Sequence, residues 1–356
     1  MSRFFAPLAA TALVAASCGS GSSGSPVVDA GQCAPSTDYV VAPVALSQCD
    51  GLGPGTEDCH FRIVTNAGQC CAEKPCDRLV VYWAGGNQTC ETGDMDALLK
   101  GYADRGFVAA CAQPYTTENE GGMYPYHLEF DRMNNLMQKL RIDVATLWTG
   151  DKLATAGTSH GGTAPLVIAA SAKVFKQHAD VWMGKTHTAM LLYDGISNPK
   201  TLEEWAGSQS GCGLFHQRYV GRYGDGSPLT HDCGNGACYC SNPAHASDWV
   251  KDTVVIGATE PPSPYTCADF APDSGAVLYR FASCSGASGA SPCGILGDIV
   301  PDEQQEAPYQ ALTSCSGVVA NYAKYPTCAH LLCGGFTTSE NCGGDDGVNW
   351  LEANGW

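Results

Sequence analysis

Between residues 79 and 193 short apolar runs alternate with stretches of helical period, and this alternation limits the chain to one kind of architecture. Leu79-Val80-Val81-Tyr82-Trp83 reads as a buried strand that leaves through the glycine turn Ala84-Gly85-Gly86-Asn87. Met95 to Arg105 is helical in pattern, and Gly106 to Cys111 is a second buried strand, closed by Pro114. His127 to Leu140 carries Leu128, Phe130, Met133, Leu136, Met137 and Leu140 at helical spacing. Lys152 to Ala156 is a third strand, Thr163 to Phe175 another helix, and His187 to Tyr193 a fourth strand. Strands joined by crossing helices run parallel, with helices on both faces of the sheet. The expected fold class is α/β, a doubly wound and mostly parallel sheet.

Twenty cysteines are too many for a chain kept reduced, so an oxidising, exported location is expected. Eight lie from Cys33 to Cys111 and eleven from Cys212 onward, with none in the best-patterned stretch between them. The flanks therefore read as loops stapled by disulfides around a core that needs no staple. Adjacent Cys70 and Cys71 should take different partners. At the N-terminus, Arg3 and the apolar run Phe4 to Ala16 lead to Ala15-Ala16-Ser17-Cys18, so residues 1–18 read as a signal peptide too short to span a bilayer. The small residues before Cys18 resemble the lipobox of bacterial lipoproteins, which implies acylation of Cys18 and a membrane tether. Lipidation would leave nineteen cysteines, which cannot all pair. Residues 19–30, with Ser20 to Ser25 reading SGSSGS, have the composition of a flexible linker, and residues 31–356 form one domain.

Nineteen basic against 36 acidic side chains give a formal charge of −17, and no basic cluster stands out, so nucleic acid is not an expected partner. No phosphate loop or dinucleotide fingerprint occurs, so no cofactor is implied. Cys59-His60, Cys70-Cys71-Cys76 and His231-Asp232-Cys233 with Cys238 and Cys240 match no common zinc spacing, and disulfides are their expected fate. Asp345-Asp346 lies among glycines without an EF-hand pattern and is expected on a solvated turn, so no metal is expected.

The third strand ends in Gly157-Thr158-Ser159-His160-Gly161-Gly162, which fits G-x-S-x-G. That pattern presents a serine hydroxyl on a tight strand-to-helix turn, and glycines flank it because neighbouring backbone leaves no space for side chains. In a chain with 42 glycines the pentapeptide alone is weak; a strand before it and a helix after it give it weight. A serine hydroxyl needs a base at neutral pH. His160 is too close along the turn to serve, but its backbone N–H suits one half of an oxyanion hole. Gly86, in the loop after the first strand, is the candidate for the other half.

The chain here resembles the α/β-hydrolase family, particularly its secreted esterases, over residues 78–195 and again over about 276–355. The resemblance rests on the strand followed by AGGN, the buried strand GFVAAC, the elbow GTSHGG and two later segments. It implies the chain order serine, acid, histidine. Downstream of Ser159 stand His178, His187, His216, His231, His245 and His330. His178 closes the elbow helix, His187 opens a strand at the wrong edge of the sheet, and the next three fall in a segment rich in Gly, Cys and aromatics. His330 follows the β-like run Val318 to Tyr322 and precedes the amphipathic stretch Val348 to Asn354, which fits the family's last strand, histidine loop and closing helix. His330 is therefore the expected base.

For the acid, Gly297-Asp298-Ile299-Val300-Pro301 with Gln304-Gln305 resembles the G-x-x-D-x-x-V-P-x-x-Q region after the penultimate strand, here Ala276 to Ser283. Its aspartate-to-proline spacing is one residue short, and a loop bounded by Cys284 and Cys293 intervenes. Asp298 ranks first, Glu260 second, and Asp194, at the tip of the fourth strand, third. The resemblance implies an extracytoplasmic serine hydrolase that cleaves small-molecule or polymeric carboxylic esters. A serine peptidase on the same scaffold and an inactive disulfide-rich surface binding protein stay open. Residues 197–250 read as an insertion whose Trp205, Phe215, Tyr219 and Tyr223 suit either a lid or a packed subdomain.

Overall fold

A computed structural model of the chain describes residues 33–43, 60–85, 89–90, 93–113, 144–159, 161–162, 164–167, 187–208, 253–259, 262–270, 276–284, 300–326 and 345–356, with single positions 137, 140, 170, 328 and 330. Its strands are β1 (Tyr39–Pro43), β2 (His60–Asn66), β3 (Cys76–Trp83), β4 (Phe107–Gln113), β5 (Trp148–Thr158), β6 (His187–Tyr193), β7 (Ala276–Ser283) and β8 (Val318–Lys324). They form one sheet in the order β1-β2-β4-β3-β5-β6-β7-β8. From β4 to β8 every pairing is parallel. β1 and β2 add an antiparallel edge, which strand–helix alternation does not announce.

The inner parallel strands are apolar where both of their faces are covered, while β8 at the edge is half-exposed. Along β3, Leu79, Val81 and Trp83 face one buried cluster while Val80 and Tyr82 face the other. One cover is α1 (Gly93–Asp104), which buries Met95, Leu98, Leu99, Tyr102 and Ala103 at helical spacing and stops before Gly106, where φ is +78°. The last helix, α4 (Asp346–Ala353), lies on the same face through Val348 and Leu351. The opposite face is covered by the helical residues after β5, Ala164, Leu166, Val167 and Ala170, and by Leu312 of α3 (Glu303–Thr313). A further helix, α2 (Pro199–Ser208), starts after Asn198, whose side-chain oxygen caps the N–H of Thr201.

Charges tie α4 to the sheet. Asp346 makes a two-pronged pair with Arg280 of β7, Nε to Oδ2 at 3.0 Å and Nη2 to Oδ1 at 2.6 Å. Asp346 is thus not on a solvated turn, the surroundings expected for it, because Arg280 meets it at the sheet surface. Arg105 reaches Glu352 at 2.7 Å from the end of α1. Cys71 pairs with Cys33 and Cys70 with Cys76, so the two adjacent cysteines do take different partners. Cys90–Cys111 ties the chain beyond the β3 turn to β4, and Cys267–Cys315 spans the other face. Cys284 and Cys328 are disulfide-bonded as well. Among the described residues no helix is long and apolar enough to cross a membrane. Residues 1–32, including Cys18, and residues 209–250 lie outside the described residues.

Candidate active site

Parallel neighbours end on one edge of a sheet, so whatever follows β5, β6, β7 and β8 is brought together there. Ser159 follows β5. Its N–H bonds to the Tyr193 carbonyl at the end of β6, and its own carbonyl accepts the Gly162 N–H, both at 2.9 Å. The glycines around it have no room for a side chain. A Cβ built on Gly157 would lie 2.2 Å from the Gly161 oxygen, one on Gly161 2.1 Å from the Trp83 oxygen, and one on Gly162 2.5 Å from the Tyr193 oxygen. Backbone from β3 and β6 thus clamps the elbow on both sides. Beneath it the Tyr82 hydroxyl bonds to that of Thr158.

These clashes involve backbone, which cannot swing aside as a side chain can. Gly161→Ala is expected to cost about 3 kcal/mol, whereas Gly101→Ala, on the open face of α1, should add about 0.5–1 kcal/mol. Urea unfolding midpoints of the two variants check the contrast.

Ser159 holds φ at +58°. Asp194, directly after β6, holds φ at +47°, and these are the only two non-glycine residues with positive φ among the described residues. Such conformations cost of order 1–3 kcal/mol and persist where surroundings enforce them. The Asp194 N–H is held by the Ala282 carbonyl of β7 at 2.9 Å. Its carboxylate is fully buried with both oxygens used: Oδ1 accepts the Cys284 N–H at 2.9 Å, and Oδ2 faces His330 Nδ1 at 2.8 Å. Burial pushes the Asp194 carboxyl above its ordinary range, and the imidazole and the Cys284 amide oppose that rise.

A carboxylate only accepts, so Nδ1 carries the imidazole proton and Nε2 is left with its lone pair. His330 is 1 % exposed, and its Nε2 makes no hydrogen bond among the described residues. The chain reaches it from β8 by a turn in which Tyr325 N–H bonds to the Ser283 carbonyl at 2.8 Å and Cys328 N–H to the Tyr325 carbonyl at 3.1 Å.

Ser159 and His330 therefore belong to one edge of the sheet, and His187 opens β6 at the other. The carboxylate that meets Nδ1 of the imidazole is Asp194, the third-ranked candidate. This carboxylate leaves β6, one strand from the serine, and among the described residues the exit of β7 contributes the Cys284 amide. Asp298 and Glu260 lie outside the described residues, as do Gly86 and His160. Sequence pattern ranked Asp194 last because nothing in Leu191-Leu192-Tyr193-Asp194 signals a left-handed residue. The usable signal was its placement, directly after the buried run Ala189 to Tyr193, as Ser159 is placed after β5.

A parallel sheet of this order, with a strained serine between β5 and the next helix, defines the α/β-hydrolase fold, and the chain has that fold. Carboxyl esterase 2 from the mycorrhizal fungus Tuber melanosporum aligns with a TM-score of 0.52 over 90% of this chain and 87% of its own, at 11% identity. A fungal esterase from Rhizomucor miehei gives 0.49 over 90% and 84% at 14% identity. An acylaminoacyl peptidase from Pyrococcus horikoshii gives 0.46 over 76% of this chain and 35% of its own, at 12% identity. No protein-family model matches the sequence, and no curated protein does.

Proposed function

We propose that the chain is an exported serine hydrolase that cleaves carboxylic esters through an acyl-enzyme. The observation that carries this reading is the buried Asp194–His330 pair on the same sheet edge as the strained Ser159. Ser159 Oγ attacks the acyl carbonyl while its proton passes to His330 Nε2, and Asp194 holds Nδ1–H and stabilises the imidazolium. The amides of His160 and Gly86 receive the developing oxyanion. Collapse of the tetrahedral intermediate expels the alcohol, which takes the proton from His330. Water then attacks the acyl group by the same route and regenerates Ser159.

The choice of ester is supported by the fold shared with the Tuber melanosporum carboxyl esterase. Export is supported by the disulfides, which a reducing compartment would not keep. Acylation of Cys18, with residues 19–30 as tether, is the proposed anchoring. A phosphonate-type serine probe is expected to label the wild-type protein and leave Ser159→Ala unlabelled. Equal labelling of the two would remove the assignment. Parallel assays with short-chain aryl esters and peptide anilides should show turnover on the esters.

A further inference from the structure

We propose that Gln305 is a positioning residue for this site, a strut that sets Asp194 through the segment just after it; the inference rests on the reading given above. Residues 195–198 leave β6 without a strand partner, so their backbone groups must be paired by other means. Val254 N–H donates to the Ser197 carbonyl at 2.9 Å, and the first turn of α3 supplies further partners. Gln305 Nε2 donates to the Gly195 carbonyl at 2.6 Å. Gln304 Oε1 accepts the N–H groups of Ser197 and Asn198, each at 2.9 Å, and its Nε2 donates to Thr201 Oγ1 at 2.7 Å. Both glutamines are 2 % exposed, which is uncommon for this residue type and points to a fixed task.

Gly195 is the hinge of the arrangement. It is bonded directly to Asp194, and its Cα would lie 3.1 Å from a Cβ built on Gly162 in the elbow. A pull on the Gly195 carbonyl therefore presses the Asp194 segment against the turn that carries Ser159. Asp194 cannot hold its own place, since its left-handed backbone tends to relax. The Gln305 amide opposes that relaxation from outside the sheet. Among the described residues its Nε2 donates to the Gly195 and Gln304 carbonyls, so its effect on the site must pass through the backbone of Gly195 and Asp194.

Gln305→Met keeps the length and apolar stem of the side chain but removes the donor. With a short-chain aryl ester, kcat is expected to fall roughly 10–100-fold with KM unchanged, the size of loss that sub-ångström misplacement of catalytic groups produces. The far-downfield proton resonance of His330 Nδ1–H should shift or broaden in the same variant. Gln310→Met, on the exposed face of α3, should change neither readout. If Gln305→Met does not fold, Gln305→Asn serves, because its shorter amide stops short of the Gly195 carbonyl. A folded variant with wild-type kcat and an unmoved resonance overturns the strut and leaves the hydrolase reading standing. A wild-type protein without esterase activity overturns that reading instead, and the resonance still decides the strut.

Discussion

Exchanging Asp194 for Asn is expected to lower kcat roughly 10³–10⁴-fold, or about 4–5.5 kcal/mol of transition-state stabilisation, with little change in KM. The cause lies in the other partner of the carboxylate. Cys284 N–H needs an acceptor, so the amide oxygen of the new side chain will stay on it. The amide nitrogen is then turned toward His330 Nδ1 and can only donate. Nδ1 becomes the acceptor, the ring proton moves to Nε2, and the base loses the lone pair that should receive the serine proton. Stability should hold or rise, because the substitution removes a charge that burial disfavours. Asp298→Asn should stay within a few-fold of wild type. Steady-state kinetics and urea midpoints of both variants make the comparison; a large loss at Asp298 with a small one at Asp194 would reverse the assignment of the acid.

Raising the pH past the ordinary tyrosine range is expected to unfold the protein abruptly. Tyr82, Tyr102, Tyr193 and Tyr279 are all buried, and burial is the largest cause raising each phenol, with Asp346 adding to the effect at Tyr102 and Tyr193. Above about pH 10 the unfolded chain releases these protons while the folded chain keeps them. Stability is therefore intact below that pH and falls above it, at roughly 1.4 kcal/mol per pH unit for each phenol. Four together remove on the order of 5 kcal/mol per unit, comparable with the whole stability of an ordinary domain. Tyrosinate absorbance and near-ultraviolet circular dichroism should change together, one to two units above the free phenol value. Tyr193→Phe, which deletes a hydroxyl without a hydrogen-bond partner among the described residues, should move the transition to higher pH. Smooth phenol titration near pH 10 in a chain that keeps its tertiary signal would contradict the account.

Most of the sheet was legible because the inner strands β3 to β7 are largely buried on both faces and cannot hide their apolar runs, while β8 at the edge kept the β-like run Val318 to Tyr322. His187–Tyr193 and Ala276–Ser283 fall where the pattern puts them. β1 and β2 were not legible, since an edge tolerates polar and exposed residues. Val40 and Val41 of β1 lie open, and Arg62 sits inside β2 because Asp96 of α1 pairs with it. At the site, Ser159 and His330 could be read from glycine spacing and chain order. The carboxylate paired with His330 was legible only as a third choice, because the pairing depends on a backbone angle and on an amide donated by Cys284, and neither leaves a residue-type signature. Gln304 and Gln305 were visible as a motif, yet their task was not, since it is carried out on the carbonyl and amides of another segment.

Because the chain after β7 lends the Asp194 carboxylate a main-chain amide, that bond depends on the backbone N–H of residue 284 and not on its side chain, which serves a disulfide. The segment between that residue and α3, in which Asp298 stands, is then not required to supply the carboxylate that meets His330. Insertions, deletions and new side chains there can be sampled during evolution, or in a mutagenesis library, without disturbing the proton relay. A scaffold of this kind can diversify what it accepts while keeping its chemistry constant.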